Sequence, residues 1–138
     1  MGLVWRVPQE HLYPPLVRDV TALLMPSPSD WYVTHGFRSM EEQAGLYAKY
    51  KAGGPRAAPP GLSAHNYGLA VDVVLDTSPA SGLQPSWDTE QQPWRWLFSA
   101  LEHHATLLSG VGFRDGDHIE WRHWSQYKQW AQDNSTGG

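Results

Sequence analysis

The sequence predicts a small α+β domain, with a short antiparallel sheet flanked by helices. Three observations point there. Gly68, Leu69, Ala70, Val71, Asp72, Val73, Val74 and Leu75 form a nearly uncharged, β-branched run with the character of a buried strand. Trp31-Tyr32-Val33-Thr34 reads as a second strand, and it leads into Ser39-Met40-Glu41-Glu42, an S-x-x-E capping box that starts a helix. Charged residues are only 17%, against 13 Gly and 11 Pro in 138 residues, a balance that favours shaped loops over a helical bundle. A chain of this length forms one domain with a proper core. The expected layout is a single domain over 1–138: a helical region over 1–30, a core over 31–124 and a flexible tail over 133–138.

Taken in order, Pro14-Pro15 open a first helix in which Leu16, Val20, Leu23 and Leu24 make the buried face; Pro26, Ser27 and Pro28 end it. The capping-box helix runs to about Lys49 or Tyr50. Lys51 to Leu62 is rich in Gly, Pro and Ala and forms a loop, either a cleft wall or a plain connector. Asp76 to Gln92 is a polar loop holding Pro79, Gly82 and Pro85. Pro93 opens a helix whose Trp94, Leu97, Phe98, Leu101, Ala105 and Leu108 share a face, with Gly110 as its stop. His118 to Trp121 reads as a short strand, and Ser125 caps a last helix carrying Tyr127 and Trp130.

Composition narrows the function. The net charge of −4, with basic residues scattered, argues against nucleic acid as a partner. With no cysteine, disulfides and thiolate metal sites are excluded. No apolar run is long enough to span a bilayer. Met1 to Arg6 has neither the charged start nor the apolar core of a signal peptide. Nothing points to a dimer, so a monomer is expected.

Alternation along the Gly68–Leu75 strand puts Gly68, Ala70, Asp72 and Val74 on one face and Leu69, Val71, Val73 and Leu75 on a core face. A carboxylate in so apolar a strand is costly unless it is paired or bound to a cation. His65 stands just before the strand, and imidazole with carboxylate suits zinc. Singly, each residue has a plainer role: a loop histidine with a satisfied hydrogen bond, or an aspartate serving an Arg or backbone amides.

Together they lie in Ser63-x-His65-x-x-Gly68-x-Ala70-x-Asp72. This stretch resembles the metal motif of the VanY/VanX-like D-alanyl-D-alanine carboxypeptidase superfamily (peptidase M15). Its L-alanyl-D-glutamate endopeptidase branch, common among phage endolysins, is the nearest likeness. Asp115-Gly116-Asp117-His118-Ile119-Glu120 is similar to the family's D-x-x-H-F-E segment, with Ile119 for the aromatic. Gly36-Phe37-Arg38-Ser39, followed at Gln43, is similar to its G-Y-R-S-x-x-x-Q segment, with Phe37 for Tyr.

The resemblance implies a LAS/hedgehog-like fold with one catalytic Zn²⁺ ion held by His65, Asp72 and His118, leaving a fourth position open for water. It implies Asp115 as the catalytic carboxylate and Arg38 as the residue holding a substrate carbonyl or carboxylate. Ser63 steadies the His65 loop, and Tyr67 lines the cleft or packs. Glu120 faces the same way as His118, as an acceptor orienting a ligand imidazole or as a rival general base. Trp121 or Trp124 stands at the cleft, the other tryptophans being core. Asp117 is the weakest candidate, since neighbours on a strand point to opposite faces. His35, His103, His104 and His123 are expected not to be ligands.

The implied function is zinc-dependent hydrolysis of an amide in the peptidoglycan stem peptide, between L-alanine and D-glutamate. A D-alanyl-D-alanine carboxypeptidase or dipeptidase is the alternative. A non-catalytic wall-binding module with a structural zinc is the alternative of another class, and it would close the fourth position. The expected setting is a phage or prophage lysin made in the cytoplasm and acting on the wall after holin-type release.

Overall fold

The computed structural model describes residues 2–77, 84–113 and 115–135. Among these lie β1 (Leu3–Trp5), α1 (Pro14–Leu24), β2 (Asp30–His35), α2 (Met40–Lys51) and β3 (Ala70–Asp76). There follow β4 (Pro85–Ser86), α3 (Gln92–Glu102), β5 (Leu107–Ser109), β6 (His118–Trp121) and α4 (Lys128–Ser135). The strands make one sheet in the order β1-β2-β3-β6-β5, with β4 paired to β3. The α+β class is as expected. The sheet is mixed rather than wholly antiparallel, because β1 runs parallel to β2 while the other pairs are antiparallel. The first thirty residues therefore supply a sheet edge as well as a helix. No helix of the described residues is long and apolar enough to cross a membrane.

The central strand β3 is covered on both faces: Ala70, Val71, Val73 and Val74 are all fully buried. The face expected to be core is buried, and so are Ala70 and Val74 on the face that carries Asp72. From α1 come Leu16, Val20 and Leu24, and from α3 come Trp94, Leu97 and Leu101. Trp31 meets Trp94 edge-to-face at 5.0 Å between ring centres, and both are buried. Ser39 and Glu42 form the expected capping box of α2, with both reciprocal bonds made.

Three expectations need correction. Helix α3 ends at Glu102, so Ala105 and Leu108 are not on it, and Leu107 begins β5. The local cause is His104, whose Nδ1 accepts the amides of Thr106 and Leu107, each at 3.1 Å, and turns the chain. Ser125 caps nothing: a 3-10 turn spans Trp124–Tyr127 with His123 before it at φ 60, and α4 follows directly. That helix continues to Ser135, past the start of the expected tail at 133; residues 136–138, like Pro79 and Gly82, lie outside the described residues.

Gly68 belongs to the turn rather than to the strand. It ends the 3-10 turn Ala64–Tyr67 at φ 68, in the left-handed region. A Cβ there would run into the carbonyl oxygen of His11 and press on the Trp130 ring. Its own carbonyl accepts the amide of Tyr13 at 2.9 Å, which ties the start of α1 to the loop carrying His65. Gly68→Ala should therefore cost at least about 2 kcal/mol of stability, measured as a lowered denaturation midpoint at unchanged slope.

Candidate metal centre

Antiparallel pairing places Asp72 of β3 directly opposite His118 of β6, and Ala70 opposite Glu120. Residues opposite each other share a face, so Asp72, His118 and Glu120 project together, with the small Ala70 leaving space beside them. The 3-10 turn before β3 delivers His65 to the same point. Ser63 Oγ accepts the His65 amide at 3.3 Å, as expected for a residue steadying that loop.

His65, Asp72 and His118 each offer one donor atom, all within 4.8 Å of one another. Asp72 Oδ1 stands 3.2 Å from His65 Nε2 and 3.4 Å from His118 Nδ1. These separations suit a tetrahedral ion: ligand bonds of about 2.0–2.1 Å span an edge of about 3.3 Å. Asp72 Oδ1 is buried and makes no hydrogen bond of proper geometry to any described residue. A buried, bondless carboxylate oxygen facing two imidazoles is the arrangement of a ligand set rather than of an ion-pair network. The residues thus fit a zinc ion.

The outer bonds of both rings select the inner nitrogens. His65 Nδ1 lies 2.8 Å from the carbonyl oxygen of Gly36, which can only accept, so Nδ1 carries the proton and Nε2 keeps its lone pair. His118 Nε2 lies 2.8 Å from Glu120 Oε1, which leaves Nδ1 toward Asp72. Glu120 is thereby in the expected orienting position.

The electrostatics follow from this crowding. Burial raises the Asp72 carboxyl, but the close approach of the His118 and His65 imidazoles outweighs it and holds Asp72 well below the usual carboxylate range. Burial lowers His118, but Asp72 and then Glu120 outweigh that, and the ring is pushed up to about 9. Asp117 is pushed up to about 7, by burial first and then by its bond to Asp115 and the charges of Asp72 and Asp115. Asp117 therefore stands at the centre, with a carboxylate oxygen close to those of Asp72 and Asp115. The strand alternation expected to turn it away does not apply, because β6 starts at His118 and Asp117 lies in a turn.

Asp115 is half exposed, and its Oδ2 lies 3.8 Å from His118 Nδ1. Arg38 Nη2 approaches Asp72 Oδ2 at 4.0 Å, on the side of the carboxylate away from the imidazoles. Its Nη1 donates to Gln43 Oε1 at 3.2 Å, and the buried Gln43 in turn donates to Ala58 O at 2.8 Å. Asn66 is buried too; its Nδ2 donates to Arg38 O at 3.0 Å and its Oδ1 accepts from Gly61 N at 3.0 Å. The single amide of Asn66 thus joins three loops around the site. Its only sequence signal was a polar residue inside the histidine motif.

Two aromatic expectations resolve differently. Tyr67 packs: its hydroxyl donates to Gly61 O at 2.8 Å and its ring stacks on Trp124 at 5.7 Å. Trp121 does not stand at the cleft. It alternates onto the face of β6 opposite His118 and is buried edge-to-face against Tyr13 and Tyr127. His103 and His123 are exposed, and His104 serves the turn after α3. His35, expected to be no ligand, nonetheless has Nδ1 3.5 Å from Asp72 Oδ2.

The family model described as VanY, D-alanyl-D-alanine carboxypeptidase, matches residues 27–124, a span holding every member of this cluster. The chain belongs to the VanY family. It is accordingly a metallopeptidase of peptidoglycan, and His65, Asp72 and His118 are its group able to hold the zinc. Among solved structures, the Serratia marcescens L-Ala D-Glu endopeptidase ChiX is similar at 25% identity and a TM-score of 0.59, over 82% of each chain. The vancomycin-resistance D,D-pentapeptidase VanY of a VanB-type cassette, solved with Zn(II), is similar in fold at 20% identity and a TM-score of 0.53, over 84% of this chain and 75% of that one. The D,D-dipeptidase VanXYg matches at 16% and 0.52, over 88% of this chain and 56% of its own.

Three outcomes follow for this VanY-family centre. Zinc must displace the proton that His118 holds below pH about 9, so apparent zinc affinity of the metal-free protein should climb about tenfold per pH unit and level off above that value. In the metal-free protein, the His118 contribution to stability is complete below its ordinary 6.5 and lost as pH rises through about 9. The Asp72 contribution has the opposite sign, present above its ordinary 3.8 and lost in acid. Melting temperature against pH checks both. Glu120→Gln should weaken zinc binding by about 10-fold or more, read by competition with a chelating dye.

Proposed function

We propose that this VanY-family member hydrolyses the amide between L-alanine and D-glutamate in the peptidoglycan stem peptide. The observation that carries this reading is the likeness to ChiX, at 25% identity over 82% of both chains, joined to a carboxylate at the open side of the metal cluster. The endolysin setting rests on the motif's likeness to that branch alone. The D-alanyl-D-alanine carboxypeptidase reading is favoured by the description of the family model.

His65, Asp72 and His118 would hold a zinc ion, whose Lewis acidity would be available to a water and to the scissile carbonyl. Asp115 is placed to take the attacking water's proton on its Oδ2 and return it to the leaving amine. Its exposure suits this, because substrate and water reach it from solvent. Glu120 is pointed at the far nitrogen of His118, so it serves the ligand and not the water. Arg38, braced by Gln43, offers a planar guanidinium to the oxyanion or to a substrate carboxylate.

Mass spectrometry of purified peptidoglycan after digestion tests the bond. Glycan strands left with only L-alanine support the endopeptidase; loss of terminal D-alanine moves the protein to the carboxypeptidase reading. Neither product from zinc-loaded protein, across several wall chemotypes, would sink both. Asp115→Ala should lower kcat by about 10²–10⁴-fold with zinc content unchanged. Arg38→Lys, which keeps the charge but loses the planar fork, should also lose activity at full zinc loading.

A further inference from the structure

The two oxygens of Asp72 have separate surroundings. Oδ1 faces the imidazoles of His65 and His118. Oδ2 faces His35 Nδ1 at 3.5 Å and Arg38 Nη2 at 4.0 Å. His35 reaches that place through an irregularity in the sheet. The β2/β3 register runs Asp30↔Asp76 through Val33↔Val73 and then shifts, so that His35 rather than Thr34 stands opposite Asp72. In a regular ladder Thr34 would oppose Asp72, and His35 would fall on the other face. One extra residue in β2 therefore re-aims an imidazole at the carboxylate, as bulges beside active sites do.

Thr34 Oγ1 donates its only hydrogen to the main-chain oxygen of Asp72 at 3.3 Å. Thr34 Oγ1 also lies 3.0 Å from His35 Nδ1, so a proton on Nδ1 is shared between that oxygen and Asp72 Oδ2 at 3.5 Å. A donor at Nδ1 facing a carboxylate oxygen restrains that oxygen. We propose that His35 is a positioning residue for Asp72: it holds Oδ2 through Nδ1–H, so that Oδ1 alone is presented to the metal. Arg38 is the weaker, more distant second hold. The inference rests on the zinc reading of the centre and is independent of which stem-peptide bond is cut.

The test is zinc affinity of the metal-free protein, by competition with a chelating dye, together with the absorption spectrum of the Co(II)-substituted protein. The His35 side chain is 62% exposed, so its removal leaves no core cavity and His35→Ala should fold. That variant should bind zinc about 10-fold more weakly and show an altered cobalt spectrum. His35→Asn places an amide N–H near the position of Nδ1 and should restore both readouts. Equal affinity and spectrum in wild type and His35→Ala would overturn the inference. So would equal losses in the Ala and Asn variants accompanied by lower melting temperatures, which would mark the ring as support for the bulge only. Failure of the wild type to bind zinc would overturn the metal centre and this inference with it.

Discussion

The carboxylate of Asp72, sunk in the middle of the central strand, is the constraint on which the rest depends. A charge in that position is tolerable only if it is surrounded by groups that compensate it. Every nearby element supplies one. The turn before β3 brings His65, the neighbouring strand β6 brings His118, β2 brings His35 and the corner after β2 brings Arg38. Without the carboxylate, three imidazoles and a guanidinium would converge with only Glu120, Asp115 and Asp117, among the described residues, nearby to balance them. The sheet order is thus also an electrostatic arrangement: β3 is flanked by β2 and β6, and both contribute to the same cluster.

What holds the cluster in register is a set of hydrogen bonds between loops. Gly36 O fixes the His65 ring, Arg38 N donates to His65 O at 3.0 Å, and Asn66 ties the Arg38 corner to Gly61. Gly68, in a conformation that side-chain-bearing residues rarely adopt, lets the turn close against His11 and the start of α1. The inner ligands are therefore rigid, while Asp115 sits at the exposed rim. This division suits chemistry in which binding geometry must be fixed and proton transfer must meet solvent.

Much of this was legible in the sequence. The strand run and the spacing from His65 to Asp72 pointed to a cation site before any geometry was known, and the capping box placed Arg38 at a strand-to-helix corner. Other features carried no local signal. Leu3–Trp5 is three residues long, too short for a period, and becomes a strand only by pairing with β2. Leu101, Ala105 and Leu108 mimic helical spacing, yet His104 caps the turn after Glu102 and the chain enters β5. Trp121, offered with Trp124 as a residue at the cleft, is sent by strand alternation to the opposite face. The place of His35 beside Asp72 carried no signal either, because it depends on a single shift of register between β2 and β3.

The central claim is that three side chains, and only three, hold the ion, leaving one position open. Anomalous diffraction at the zinc edge, from crystals grown with the metal, tests it most directly. The account predicts one strong peak about 2.0–2.2 Å from His65 Nε2, Asp72 Oδ1 and His118 Nδ1, with the remaining position filled by solvent. A peak elsewhere, or a fourth protein ligand such as Asp115 or His35 closing the site, would contradict it and turn the centre from a catalytic into a structural one.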